Sequence, residues 1–388
     1  MKRLTALFLS LVMLLGSVGI AFTAFAADTP VYDAYSKKGT HKVSTLTFTV
    51  DENDFTYKVW YPSDIASLTK RPLILYCNGT GSNYEQESAA DTVKCHELAA
   101  SRGYIVVNNT DENCGTGASM DAGFNKLKLI NKDPGHILFG KIDMGKVLLA
   151  GHSQGATCTV NMANPEKYEN AKYYKAIFAA SLPNPELAAG PAQKCPYDTT
   201  KVSTSILFIA GIHWQETAIS PLNSLQENFN NVKGDAYLSR INGIPHTESY
   251  ETAFPYMMAW FDYRLYGNKT AAKVFTGKKP ELDSAKWRDF DVKITKKSFA
   301  VSGVKALRKS FKVSWKKKIL VSGYQVEYAT NKNFTKGKKR ISTAYTSKTV
   351  KKLKARKRYY IRVRTYTVVG DKKFYSKWSS VKSVKTKK

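Results

Sequence analysis

The sequence predicts an α/β domain, a mostly parallel sheet with helices on both faces, followed by a small all-β sandwich. Three observations predict it. Between Val43 and Leu265 short apolar runs alternate with helical segments, as in a parallel sheet wrapped by its crossover helices. Beyond Asp291 the pattern changes to short alternating strands at regular spacing, which suits a sandwich. The charge breaks at the same place: residues 291–388 hold 31 Lys and Arg against 3 Asp and Glu, so nearly all of the net +29 of the 388-residue chain lies in its last quarter. The expected organisation is a signal segment over 1–26, the α/β domain over 27–267, a linker over 268–290 and the basic sandwich over 291–388.

The first segment has a basic start, an apolar core and an Ala24-Phe25-Ala26 end that suits a signal peptidase, so a secreted protein, extracellular or held at the cell wall, is expected. No later segment approaches a membrane span. The strands VSTLTFTV and FTYKVWYP come next, then the buried run RPLILYCNG, a helix from Glu85 to Ser101, and YIVVNNT. KAIFAASL, SILFIAG and DAYLSRING are further buried runs, and Ala253 to Leu265 is a closing amphipathic helix. Trp60 and Trp260 read as core residues.

In sheets of this kind ligands bind beyond the carboxyl ends of the strands, so each strand end is a place to look for chemistry. After KVLLA comes GHSQGA, and the small apolar stretch ATCTVNMA then reads as a packed helix. Strand, sharp turn and helix place Ser153 at the apex, with Gly151 and Gly155 letting the two elements approach. After RPLILY comes CNGTGSN, where flanking glycines free the backbone of Thr80; its N–H and that of Gln154 are the candidate oxyanion donors. After SILFIAG comes IHWQETAISP, which offers Glu216, and after DAYLSRING comes IPHTES, which offers His246.

A serine hydroxyl is a weak nucleophile at neutral pH. It needs a histidine to take its proton and a carboxylate to fix the histidine tautomer. Ser153, Glu216 and His246 follow the chain order of the α/β-hydrolases. Of the six histidines, His41, His96 and His136 do not end strands. His152 sits inside the turn, where packing is its expected role, and His213 is the serious rival to His246. Asp198, in a Pro-rich loop, and Asp235, at the wrong end of a strand, are the rival acids. Tyr84 and Trp214 are candidates to line a substrate pocket, and the long stretch LPNPELAAGPAQKCPYDTT is expected to drape over the site.

All five cysteines lie in the α/β domain. Cys77 and Cys158 read as packed thiols; Cys95, Cys114 and Cys195 could pair in any combination, and the sequence does not choose. No spacing suggests a metal site or a cofactor.

GHSQGA, ETAISP and RINGIPH resemble the elbow, acid loop and histidine loop of the bacterial cutinases and polyester hydrolases, and of the related dienelactone hydrolase and chlorophyllase-like esterases. The resemblance covers roughly residues 40–265. It implies an α/β-hydrolase fold, Ser153, Glu216 and His246 as a catalytic triad, and the Thr80 and Gln154 amides as the oxyanion hole. The sequence departs from the cutinase pattern at three places, with Glu216 for the usual Asp, Thr80 for an aromatic and Gln154 for a methionine. The cutinases' C-terminal disulfide is also missing, because no cysteine follows Cys195.

In the tail, Trp315, Tyr324 and the run LKARKRYYIRV, with Leu353 and Tyr359, resemble fibronectin type III modules. Tyr359, Ile361 and Val363 are expected to face inward and Arg362 and Arg364 outward, the period of a half-buried strand. So dense a field of cations attracts anions, and an anionic cell-wall polymer or acidic polysaccharide is the expected partner. Nucleic acid is not expected outside the cell. The whole reads as a monomeric serine carboxylic-ester hydrolase acting on short-acyl or polymeric esters. The alternatives are a peptidase or acyltransferase on the same fold, or a surface adhesin with an inactive hydrolase domain.

Overall fold

The structure is a computed structural model that describes residues 30–51, 53–86 and 89–388. The expected signal segment lies outside the described residues. The chain divides into two units, one ending at Val274 and resuming over 281–293, the other formed by 275–280 and 294–388.

Among the described residues of the first unit, nine strands form one mixed sheet: β1 (Val43–Val50), β2 (Asn53–Pro62), β3 (Arg71–Cys77), β4 (Ile105–Asn109), β5 (Ile142–His152), β6 (Tyr174–Ala180), β7 (Ser205–Gly211), β8 (Ala236–Ile241) and β9 (Trp287–Lys293). Their order is β1-β2-β4-β3-β5-β6-β7-β8-β9. From β4 to β8 every neighbour is parallel, whereas β1, β2 and β9 run antiparallel at the two edges.

Two-sided burial explains why the central strands are apolar runs rather than alternating ones. Leu73, Leu75 and Cys77 of β3 join one core with Phe124 and Val160 of the helices Ala118–Ile130 and Gln154–Met162. On the other face Tyr76 meets His96 of the helix Ala90–Ser101 and Tyr250 of the helix Ser249–Tyr266. That long helix is also tied to the sheet by the Trp260 indole, which donates to the Ile177 carbonyl of β6 at 2.9 Å. Trp60 and Trp260 are both fully buried.

His96 carries a testable cost. Its ring stands 4.8 Å from Trp60 and 4.7 Å from Tyr76, neither ring nitrogen has a hydrogen-bond partner, and burial lowers its pKa from 6.5 to about 3. The unfolded chain therefore takes up the proton first. Stability is full above the ordinary histidine pKa and falls as pH drops from there toward the folded value. Replacing His96 with phenylalanine should recover about 3 kcal/mol of the stability lost between pH 7 and pH 4, read from denaturant midpoints at the two pH values. An equal loss in both proteins would rule this out.

The segment expected as a linker is largely structured. Lys269–Phe275 is helical, and Trp287 begins β9 on the outer edge of β8. The α/β unit therefore runs through Lys293. The composition misleads here because β9 is an edge strand: in WRDFDVK only Trp287 and Val292 are buried, and its three charged side chains between them read as solvated linker.

The second unit is all β. One sheet has the order β10 (Gly303–Leu307), β11 (Ser310–Ser314), β14 (Ser347–Val350); the other has β13 (Lys339–Thr343), β12 (Gly323–Ala329), β15 (Arg358–Val369), β16 (Lys372–Tyr375), with β17 (Lys382–Lys385) also pairing β15. β10 and β14, short and lysine-bearing, are the two strands that the sequence pattern does not reveal. A single core joins the sheets, from Phe311 and Val313 on one to Val326, Tyr359, Ile361 and Val363 on the other. The Tyr359 hydroxyl turns back to accept from the Lys354 amide at 3.2 Å.

The expected outward arginines are present, but they are not free in solvent. Glu327, fully buried, accepts from Arg340 and Arg362 at 2.6 Å each. Arg362 lies over Phe334 and Trp378, at 4.2 and 4.7 Å, and Arg364 over Trp378 and Tyr375, at 4.2 and 3.6 Å. Planar guanidinium suits such stacking where an ammonium does not.

Candidate active site

The turn after β5 is the strained centre of the site. Ser153 takes φ 56° and ψ −125°, a conformation that costs a non-glycine residue of order 1–3 kcal/mol and persists only when its surroundings enforce it. They do. A Cβ on Gly151 would run into the Gly155 carbonyl, and one on Gly155 into the Cys77 carbonyl. The Ser153 amide is fixed on the Ala180 carbonyl of β6 at 2.9 Å.

The three strand ends converge. The Ser153 hydroxyl lies 2.9 Å from His246 Nε2, and His246 Nδ1 lies 2.5 Å from Glu216 Oε2. Glu216 stands on the short helix Trp214–Ile219 beyond β7 and is 0 % exposed. Burial acts to raise its pKa, but the hydrogen bond and charge of His246, with help from Ser181, hold it below the ordinary 4.5. The carboxylate is therefore ionised at neutral pH and accepts the Nδ1 proton. Nε2 is left with a lone pair for the serine proton, the tautomer a general base needs.

Residues outside this chain of three hold it in place. Glu216 Oε1 accepts from the Gly211 amide at 3.1 Å. The Ser181 and Ser249 hydroxyls meet at 2.5 Å, and Ser249 donates to the His246 carbonyl at 3.0 Å. That carbonyl also accepts from His152 Nε2 at 2.7 Å, with the two imidazole rings 4.7 Å apart. Burial, then the proximity of His246, lowers the His152 pKa to about 3, so it stays neutral. His152, expected only to pack, is thus a positioning residue for the histidine loop. No local signal reveals this, since its partner is a backbone atom 94 residues away.

The rival acids are occupied elsewhere. Asp235 pairs with Arg264 at 2.9 Å and Asp198 caps Thr200. His213 neighbours Trp214, with ring centroids 5.7 Å apart, and it is His246 that reaches the serine.

The loop after β3 lies against the serine turn: a Cβ on Gly79 would stand 3.7 Å from that of Ser153. A turn closed by Ser82 N–H to the Gly79 carbonyl at 3.2 Å, with Gly81 at φ 67°, leaves the Thr80 amide outside its own hydrogen bond. The Gln154 amide opens the helix Gln154–Met162, where the first N–H groups have no acceptor within the helix. Trp214 is 60 % exposed. Tyr84, by contrast, is buried edge-on against Trp60 at 5.7 Å, so packing accounts for its ring.

The long stretch after β6 is held by its own hydrogen bonds and by one to the end of the helix Trp214–Ile219. It is tied down by Asn184 to the Ile219 carbonyl, by Cys195 to the Ala188 carbonyl, and by the Tyr197 hydroxyl to the Pro183 carbonyl.

Among the described residues, which include every cysteine, all five thiols are free. Cys114 is buried in one core with Cys77 and Cys158, and its thiol donates to the Asn78 carbonyl at 3.2 Å. No cluster of three or more His, Cys, Asp or Glu among the described residues could hold a metal ion, and no described helix is long and apolar enough to cross a membrane.

Residues 299–382 match the model of the fibronectin type III domain, in agreement with the two-sheet unit described above. No curated protein matches the chain.

Proposed function

We propose that the first unit is an α/β-hydrolase and that the protein is an exported serine carboxylic-ester hydrolase, similar in its chemistry to the cutinase-like esterases. The observation that carries this is the continuous hydrogen-bonded chain from Ser153 through His246 to Glu216 at the ends of β5, β8 and β7. The parallel run β4-β3-β5-β6-β7-β8, with β1 and β2 folded back antiparallel, supports the fold assignment.

In the reaction, Ser153 Oγ attacks the ester carbonyl as its proton passes to His246 Nε2. The Thr80 and Gln154 amides hold the developing oxyanion. His246 returns the proton to the departing alcohol, and water, deprotonated by the same nitrogen, releases the acyl group. Ionised Glu216 stabilises the imidazolium throughout. Short-acyl and polymeric esters are the proposed substrates.

A fluorophosphonate reagent should attach to Ser153 of the folded protein, as located by peptide mass mapping. Heating the protein to unfold it before addition should abolish the labelling. Labelling at another serine, or none in the folded protein, would sink the mechanism.

The basic unit is proposed to hold the enzyme on an anionic polymer at the cell surface. Its dense cation content supports this, since a charged surface raises the local concentration of polyanions over about a Debye length of 10 Å.

A further inference from the structure

The second unit carries a groove whose chemistry is more specific than its overall charge. It follows the chain as it crosses from β13 in one sheet to β14 in the other, and Lys312 of β11 stands on its far side. Three kinds of group line it. Ser342, Ser347 and Thr349 supply hydroxyls, Lys312 and Lys348 supply cations, and Tyr345 supplies an aromatic face.

Tyr345 is 79 % exposed, yet its backbone is fixed. Its amide donates to the Thr343 hydroxyl at 3.2 Å, and the next carbonyl, that of Thr346, accepts from the Trp315 amide at 3.0 Å. A large ring this exposed contributes nothing to the core, and the pinned backbone fixes the point from which it can meet a ligand.

The lysines tell the same story. Lys312 stands directly opposite Lys305 on β10, and opposite Thr349 on β14. Its chain neighbours Phe311 and Val313 are fully buried, so Lys305 and Lys312 share the outer face. Like charges directly opposed across two strands are destabilising, and an anion between them reverses the sign of that interaction. Arg340, Arg362 and Arg364 of the other sheet are already engaged by Glu327 and by aromatic rings, as described above, whereas Lys305 and Lys312 stand on the outer face of this one.

We infer that this groove binds a strand of acidic polysaccharide. A sugar ring stacks on Tyr345, ring hydroxyls exchange hydrogen bonds with the serine and threonine side chains, and carboxylates meet Lys312 and Lys348. Hydroxyl-rich walls and lysines favour a uronate polymer over nucleic acid, for which arginine and several stacked aromatics are the usual equipment. The inference rests on the proposed role of the basic unit as an attachment module.

The test measures binding of the full chain to sodium polygalacturonate by affinity electrophoresis and calorimetry at low and high salt. Tyr345→Ala, and separately the pair Lys312→Ser and Lys348→Ser, should each weaken binding about tenfold. The pair Lys332→Ser and Lys338→Ser removes the same charge outside the groove and should change it by less than about twofold. If the full chain binds but all variants lose equally, the groove is wrong and the attachment role stands. Failure of the full chain to bind at low salt overturns both. A single-stranded oligonucleotide that binds more tightly than the uronate, with the same dependence on Tyr345, overturns the ligand class.

Discussion

Replacing Ser153 with alanine lowers the turnover of short-acyl p-nitrophenyl esters by about 10⁴-fold or more. The size of the loss follows from what the substitution leaves behind. Without Oγ no acyl-enzyme forms, while the proposed oxyanion donors are backbone groups and remain in place. The residual rate is that of water attacking a bound and polarised ester. The fold should survive, because alanine removes only a hydroxyl and the turn is enforced by Gly151, Gly155 and the hydrogen bond to Ala180. A folded variant, judged by its unchanged thermal transition, that kept a large share of the activity would remove the mechanism altogether.

His246→Ala should be nearly as damaging, by about 10⁴-fold, with Glu216→Gln milder by about one to two orders of magnitude. Alanine at 246 leaves the serine proton with no acceptor. Glutamine at 216 keeps the shape of the carboxylate but removes its charge, and its amide can donate to Nδ1, which favours the tautomer with the proton on the wrong nitrogen. His213→Ala should remain close to wild type. Steady-state rates for the three variants across pH decide the matter, and a reversal between the two histidines would move the base to the loop that precedes Trp214 and leave the serine where it is.

The meeting of Ser153, His246 and Glu216 was legible because it depends on local signals. A serine between two glycines at the end of a buried run, and single acidic and histidine residues just past later runs, are each visible in a few residues of sequence. The supporting parts are not local. Ser181 and Ser249 are ordinary polar residues until the fold places them 2.5 Å apart. Cys114 joins Cys77 and Cys158 only once three separate elements meet beneath the serine turn. The same holds for the fold: the central strands announce themselves by two-sided burial, whereas β9, β10 and β14 carry charge that composition alone assigns to solvent. In the tail, period two identified which side of β15 faces inward. It could not reveal that Arg362 and Arg364 are stacked between aromatic rings.

The place of β9 in the chain has a consequence for how the protein is made. β9 covers the outer edge of β8, pairing Ile241 with Trp287, and the Asn242 amide, the first step into the histidine loop, donates to the Lys286 carbonyl at 3.2 Å. Until Lys293 has left the ribosome, β8 presents an unpaired edge, which is a template for joining another chain. The serine and the acid can be set in their strands before then, but the histidine loop is anchored last. The anchoring of the His246 loop and protection from aggregation therefore arrive together, with the seven residues Trp287–Lys293, and a module boundary drawn at Gly267 would separate the first unit from the strand that completes it.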